Sequence, residues 1–215
     1  SFVDGLQGVA VGGNGAILTT GDGGDTWSVK SPCDSLLMTD ARFLAKDRIV
    51  AVGHGGCVVR SDDGGATWSR VNVFSRADFL SLDFVNELDG WMSDGNGMVW
   101  LTGDGGNTWL PFSIRTRPKL VSLRFADAFT GWAVGENGLI VRTDDGGYSW
   151  QRLSDGGRET INDLKLFDGK LGWAVGTRGK IWLTNDSGLN WLPVFSSTEK
   201  NLNALHFVDG ERGFI

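Results

Sequence analysis

Proline, cysteine, tyrosine and histidine are scarce in this chain: 215 residues include 4 Pro, 2 Cys, 1 Tyr and 2 His. No run of about 18 apolar residues occurs, so no segment has the length and hydropathy of a membrane-spanning helix. No stretch keeps a sustained 3.6-residue apolar period, which argues against a helical domain. Cys33 and Cys57 have neither CxxC spacing nor a histidine pair beside them, which argues against a zinc site. Cys57, at the head of an apolar strand, reads as a small buried hydrophobe, and two cysteines leave the redox compartment open. A basic excess is also missing. The net charge of −6 argues against wholesale binding to nucleic acid or to an anionic membrane. The first residues, Ser1-Phe2-Val3-Asp4, carry no initiator Met and no signal-peptide pattern, and are read as following a removed leader or a cut.

Glycine and tryptophan are abundant instead, 33 and 10 residues. They are concentrated in an octet, Ser/Thr-x-Asp-x-Gly-x-x-Trp, whose copies begin at 20, 61, 102, 143 and 184, a fixed step of 41 residues. A period of this size marks stacked supersecondary units, propeller blades above all. Each Asp (22, 63, 104, 145, 186) can accept backbone N–H bonds within its own turn. The Gly two positions on permits positive φ. The Trp can fold back over the turn and bury on the order of 200 Å², about 5 kcal/mol at most before entropy costs. The octet is therefore read as a mechanical clasp. It lacks the alternating oxygen ligands and the twelfth-position Glu of an EF-hand loop.

The rest of the repeat is four short strands. An alternating strand such as Ile161 to Phe167 leads to Gly172-Trp173-Ala174-Val175-Gly176, with equivalents at Gly131 to Gly135, Gly90 to Asp94, Ile49 to Gly53 and Gly8 to Gly12. A two-residue turn follows, Asn14-Gly15, Gly55-Gly56, Asn96-Gly97, Asn137-Gly138 or Arg178-Gly179. The third strand enters the octet and the Trp opens the fourth, giving the four antiparallel strands of a blade. The fold class expected is all-β, a β-propeller of five 41-residue units forming a single domain over residues 1–215. Gly53-His54-Gly55-Gly56 superficially matches a dinucleotide-binding loop, but a strand follows where that fold needs a helix. Phe2-Val3-Asp4-Gly5 matches Phe207-Val208-Asp209-Gly210 five repeats later. In a closed five-bladed ring Leu202 to Val208 would complete the first blade, whereas a stretch of a larger propeller leaves the two ends separate; the redundancy of the ends favours the latter.

The repeat Phe-x-Asp-x-x-x-Gly-Trp-Ala-Val-Gly-x-x-Gly-x-Ile-x-x-Thr-x-Asp-Gly-Gly-x-x-Trp, clearest from Phe125 to Trp150, resembles the Asp-box (BNR) propellers over essentially the whole chain. Sialidases, xyloglucan hydrolases and sortilin-like receptors share the octet. The paired Gly-Trp-Ala-Val-Gly strand resembles the photosystem II assembly/stability factor branch. That resemblance implies a non-catalytic seven-bladed scaffold in the thylakoid lumen or bacterial periplasm, holding a newly made membrane-complex subunit through an arginine-rich face, without a cofactor. The five units here, and Ile49-Val50 in place of Gly-Trp, depart from the pattern.

One place before each first strand the repeat reads Ser35, Arg76, Arg117, Arg158 and Glu199, and Arg115 and Arg178 are expected nearby. Arginine forks suit carboxylates and aromatic faces, so this arc is a candidate partner-binding site. The alternative is solvated loop arginines paired with Asp78, Asp155 or Glu159. A second ring, Arg42, Asp83, Arg124, Lys165 and His206, lies in the first strands and would line a central channel, either binding a small anion or, the commoner arrangement, with the charges paired across it. His54 and His206 differ in repeat position, against a metal pair.

An enzyme is the main competing class. A sialidase needs a Tyr nucleophile, but the one Tyr, Tyr148, sits inside a clasp, and Asp94, an acid in place of a repeat Gly, has no evident partner for the carboxylate pair of other glycosidases. A glycan-binding reading would use Trp100 or Trp182, which equally fit the core. The missing catalytic groups favour a scaffold.

Overall fold

The computed structural model describes residues 1–114, 118–155, 157–167, 170–207 and 212–215. It is all-β, a β-propeller fold of antiparallel meanders. The first sheet has three strands, β1 (Gly8–Val11), β2 (Ile17–Thr20) and β3 (Ser28–Lys30). Four complete blades follow: β4 (Met38–Phe43), β5 (Ile49–Gly53), β6 (Val58–Ser61), β7 (Ser69–Arg70); then β8 (Phe79–Phe84), β9 (Gly90–Asp94), β10 (Met98–Thr102), β11 (Leu110–Ser113). The next two are β12 (Leu120–Phe125), β13 (Gly131–Gly135), β14 (Leu139–Thr143), β15 (Gln151–Asp155), and β16 (Ile161–Phe167), β17 (Leu171–Gly176), β18 (Ile181–Thr184), β19 (Leu192–Val194). A last pair, β20 (His206–Phe207) and β21 (Gly213–Phe214), forms a two-stranded sheet of its own, so His206–Phe207 pairs with the strand after it.

The chain divides into two compact units, one of Ser1–Gly95 with Val99–Pro111 and one of Asn96–Met98 with Phe112–Ile215. The core of the first is built on Val9, Ile17, Met38, Ile49, Ala51 and Val59; that of the second on Trp132, Val134, Ile140, Ile161, Leu164 and Trp182. The second strands β5 and β13 are buried along their whole length, which is why they read as unbroken apolar runs.

Cross-strand register explains the Phe and Gly of the repeat. Phe84 pairs with Gly90 and Phe125 with Gly131, and each phenyl ring lies over its glycine, where a Cβ would collide with it. The ring then meets the clasp Trp edge-on, Phe84 with Trp109 at 6.0 Å and Phe125 with Trp150 at 5.9 Å. The blade lacking Gly-Trp keeps its core: Ile49 is fully buried and Phe43 packs beside it.

The cysteines overturn one expectation. Cys57 is buried as expected, but it is not free: it is joined to Cys33 in a disulfide with Cα atoms 6.4 Å apart. The bond ties the segment after β3 to the turn before β6, two places that share no repeat position and meet only because adjacent blades stack.

Candidate functional site

Every blade has two working ends. At one end, five clasps repeat one hydrogen-bond set. In the first, Thr20 Oγ1 donates to Asp22 Oδ1 at 2.7 Å and accepts from the Gly24 amide at 2.9 Å. Asp22 accepts from the Thr26 amide at 2.9 Å and hydroxyl at 2.6 Å, and Trp27 Nε1 donates to the Gly24 carbonyl at 3.0 Å. Ser61, Thr102, Thr143 and Thr184 begin the same set in the other copies. The seventh octet position, read as free in the sequence, is the fixed donor: Thr26, Thr67, Thr108, Ser149 and Asn190 all bond the clasp carboxylate.

These donors hold all five carboxyls below the ordinary value. For Asp63 the Thr67 hydroxyl acts first, then the Thr67 amide and the Ser61 hydroxyl, and the pKa falls to about 2. Asp22 and Asp186 are lowered by their own clasp donors, Thr26 and Asn190 respectively. Burial raises Asp104 and Asp145, but their hydroxyl and amide donors win. The carboxylates are saturated internally. Among the described residues no group of three metal-ligating side chains occurs, and no helix is long and apolar enough to cross a membrane.

The clasp also seats a neighbouring blade. A Cβ on Gly188 would collide with the Trp132 ring at Nε1, and one on Gly106 would meet Val50 at 3.0 Å. The Gly-Trp strand and the octet are thus one device shared between adjacent blades. Burial of the clasp Trp varies: Trp109 and Trp191 are buried, whereas Trp27 is 37% exposed.

At the other end, the turn between second and third strands docks under the loop that leads to the next blade. Gly56 N donates to Ala77 O at 2.8 Å in the first unit, and Gly138 N to Glu159 O at 2.8 Å in the second. Arg76 is exposed on the first of these loops and Arg158 on the second. Arg178 is exposed too, and its backbone lies in the left-handed region, φ 58°, where the other turns have Asn or Gly. Its guanidinium is 4.0 Å from Glu159 Oε1, and the other Glu159 oxygen accepts from the Arg158 amide at 3.1 Å. The Arg178 guanidinium and the Arg158 backbone amide thus meet at one carboxylate. Arg115 and Arg117 lie outside the described residues.

Three of the five first-strand positions, Arg42, Asp83 and Arg124, have charge partners. Arg42 bonds Asp40 and approaches Asp83 at 3.9 Å; Arg124 bonds Asp163 at 3.2 Å. Lys165 and His206 are exposed. The acids that organise this ring, Asp40 and Asp163, sit beside a register shift in β4 and β16 and were missed by reading only one position per repeat. Each spans to the next strand set: Asp40 accepts from Leu82 N at 2.9 Å and Asp163 from Leu205 N at 3.2 Å.

Of the residues of the enzyme and glycan readings, Asp94, Trp100 and Trp182 are buried, whereas Tyr148 is exposed. Asp94 accepts from Trp100 Nε1 at 3.0 Å. Tyr148 stands edge-on to Phe112 at 5.0 Å.

No curated protein matches the chain. Among solved structures, it resembles YCF48 bound to D1 peptide at 18% identity and TM-score 0.56, covering 99% of this chain and 86% of that one. YCF48 from Cyanidioschyzon merolae matches at 19% identity and TM-score 0.56, over 100% and 90% of the two chains. A GH74 xyloglucanase from Xanthomonas campestris gives 15% identity and TM-score 0.77 over 94% of this chain but 39% of the enzyme. At these identities the likeness is one of fold. The family model described as Photosynthesis system II assembly factor YCF48 matches residues 1–77 and 75–157, more than half of the sequence, and the chain belongs to that family.

Proposed function

We propose that the chain, as a single β-propeller domain over residues 1–215, is a non-catalytic assembly factor that holds a photosystem II subunit against the loop ends of its blades. The observation that carries the reading is the placement of Arg76, Arg158 and Arg178 on exposed loops and turns whose backbones are pinned by hydrogen bonds. Arg115 and Arg117 join this set by repeat register. Guanidinium forks on a rigid support recognise carboxylates at low entropic cost. The relative solved with D1 peptide points to a D1 segment as the partner. The Arg42, Asp83, Arg124, Lys165 and His206 ring has a structural role in this reading, linking inner strands. The Cys33–Cys57 disulfide supports an oxidising compartment, thylakoid lumen or periplasm. Catalysis is not part of the reading: a glycosidase needs a carboxylate pair across a cleft, and Asp94 is bonded to Trp100.

Fluorescence anisotropy with labelled synthetic peptides tiling D1 tests this. One tile should bind in a salt-sensitive manner, and Arg76→Ala/Arg158→Ala/Arg178→Ala should weaken it about tenfold or more. Equal binding by the triple variant, or no bound tile, overturns the proposal.

A further inference from the structure

Between the β1–β3 sheet and the β4–β7 blade lies a cavity of about 260 Å³. Its wall is Thr19 and Ser28 from β2 and β3, Gln7 before β1, Phe43 at the end of β4, and Lys46 and Gly64 from loops of the β4–β7 blade. Thr20 and Thr26 of the first clasp complete it. Thr19 and Ser28 are cross-strand partners, so their hydroxyls stand on one face. Gln7 brings a buried side-chain oxygen that has no hydrogen-bond partner among the described residues. Such an acceptor costs stability until a donor reaches it.

The equivalent cleft between the β4–β7 and β8–β11 blades is occupied by side chains. At the place of Thr19 the other units have Arg60, Leu101, Arg142 and Leu183. Arg60 reaches Asp62 through Nε at 3.1 Å and Nη2 at 2.6 Å, and its buried Nη1 lies 4.0 Å from where a Gly105 Cβ would stand. A second pair, Arg48 with Glu87, takes the places of Gln7 and Lys46. Arg142 likewise bonds Asp144, with its guanidinium over the Trp132 ring at 5.6 Å. The first sheet has none of these pairs: Thr19 stands for the arginine, Gly21 for the aspartate and Gln7 for the second arginine. A Cβ on Gly64, the counterpart of Gly105, would meet nothing nearer than Lys46 O at 3.7 Å, and one on Gly21 would meet nothing within 4 Å. Space that two ion pairs take up in the next cleft is open in this one.

We infer that this cavity binds a neutral, polyhydroxylated molecule the size of one sugar ring. Its volume is below the roughly 300–1,000 Å³ of pockets for drug-sized ligands, which keeps the occupant small. Its charges argue against an ion. No acid lines it, and the one lining cation, Lys46, is held by Asp4 Oδ2 at 3.0 Å. The other Asp4 oxygen accepts from the Leu6 and Gln7 amides at 2.8 and 2.7 Å. A charged ligand would therefore give up water and find no free countercharge. Hydroxyls suit the wall instead: one can donate to Gln7 Oε1, others can exchange hydrogen bonds with Thr19 and Ser28, and Phe43 offers apolar surface to the C–H groups of a ring. Thr20 and Thr26 already donate to Asp22 and contribute shape. The site is made of residues at the clasp end and does not depend on the loop-end partner reading.

The test titrates the full isotope-labelled chain with D-glucose and with myo-inositol, following backbone amide and threonine methyl shifts, and repeats it with cationic D-glucosamine and anionic D-glucuronate. Saturable shifts are expected at Thr19, Gly21, Ser28 and Gly64 with at least one neutral probe. Both charged sugars should bind about tenfold more weakly or worse. Thr19→Arg/Gly21→Asp, which installs the pair that the β4–β7 blade uses, should keep the melting temperature and abolish binding. Gln7→Met, which removes the orphaned acceptor, should keep the fold and weaken binding about fivefold. Saturation by neither neutral probe, shifts centred elsewhere, equal or tighter binding of a charged sugar, or wild-type affinity in either variant overturns the site. Binding of the D1 tile reads Arg76, Arg158 and Arg178 instead, so either reading can fail while the other stands.

Discussion

The two ends of each blade obey opposite rules. At the clasp end, five octets repeat the same donors and acceptors at nearly the same lengths; the Trp Nε1 to Gly carbonyl distance stays between 3.0 and 3.1 Å in all five. At the loop end the backbone contacts repeat, but the side chains they support change from blade to blade: Asn14, Gly55, Asn96, Asn137 and Arg178 at the turn, Ser35, Arg76, Arg117, Arg158 and Glu199 on the loop. A group that serves the fold is needed in every blade and so recurs. One that serves recognition needs to differ. The comparison teaches that stability and partner choice are separated along each blade, so changes at one end should leave the property of the other intact.

Acid is the broadest way to break this separation, because it reaches all five clasps together. Each clasp Asp has a folded pKa below its ordinary value of 3.8, and for Asp63 it is about 2. With the folded value depressed, the unfolded chain binds more protons, so the contribution is fully present above about pH 4 and is lost as pH falls toward 2. Thermal unfolding followed by circular dichroism should show stability flat from pH 7 to 5 and falling steeply below 4. Replacing Asp63 and Asp104 by Asn should flatten that fall; an unchanged profile would mean that the clasps do not drive it.

Removing a single clasp aromatic should cost most among point changes. Trp109 is buried, donates to Gly106 O at 3.1 Å and lies edge-on to Phe84. Trp109→Ala should lose about 3–4 kcal/mol in urea unfolding. Trp27→Ala, at the exposed copy, should lose clearly less. Both should bind peptide normally at 25 °C if the two ends are independent.

How far the sequence discloses this follows from where each interaction closes. The octet closes on itself, so its Asp, Gly and Trp could be assigned from chemistry and spacing. Even its missed donor, at Thr26, Thr67, Thr108, Ser149 and Asn190, was visible as a position occupied only by short polar side chains. Asp40 and Asp163 were not legible, because their partners, Leu82 N and Leu205 N, lie about one repeat further along the chain. The Cys33–Cys57 bond was hidden for the same reason: the two positions share no place in the repeat and meet only after adjacent blades stack.

That disulfide sharpens the comparison, because it is a staple at the variable end. It closes a separation of 24 residues, and Cys33→Ser/Cys57→Ser should lose about 3 kcal/mol. Reductant should lower the melting temperature of the wild type and leave the double variant unaffected.

The smallest effect has the opposite sign. Arg178 occupies a turn position where φ is 58° and where three other blades place Asn, a residue that tolerates that state through its short polar side chain. Arg178→Asn should therefore stabilise the chain by about 0.5–1 kcal/mol. The lost 4.0 Å contact with Glu159 offsets little, since Arg178 is well exposed there and such pairs contribute little in water. Arginine gains the turn no backbone stability in this state, so any benefit it brings lies outside folding. Arg178→Asn should thus unfold later in urea and release the D1 tile faster. A variant that is more stable and binds equally well would place Arg178 outside the recognition surface.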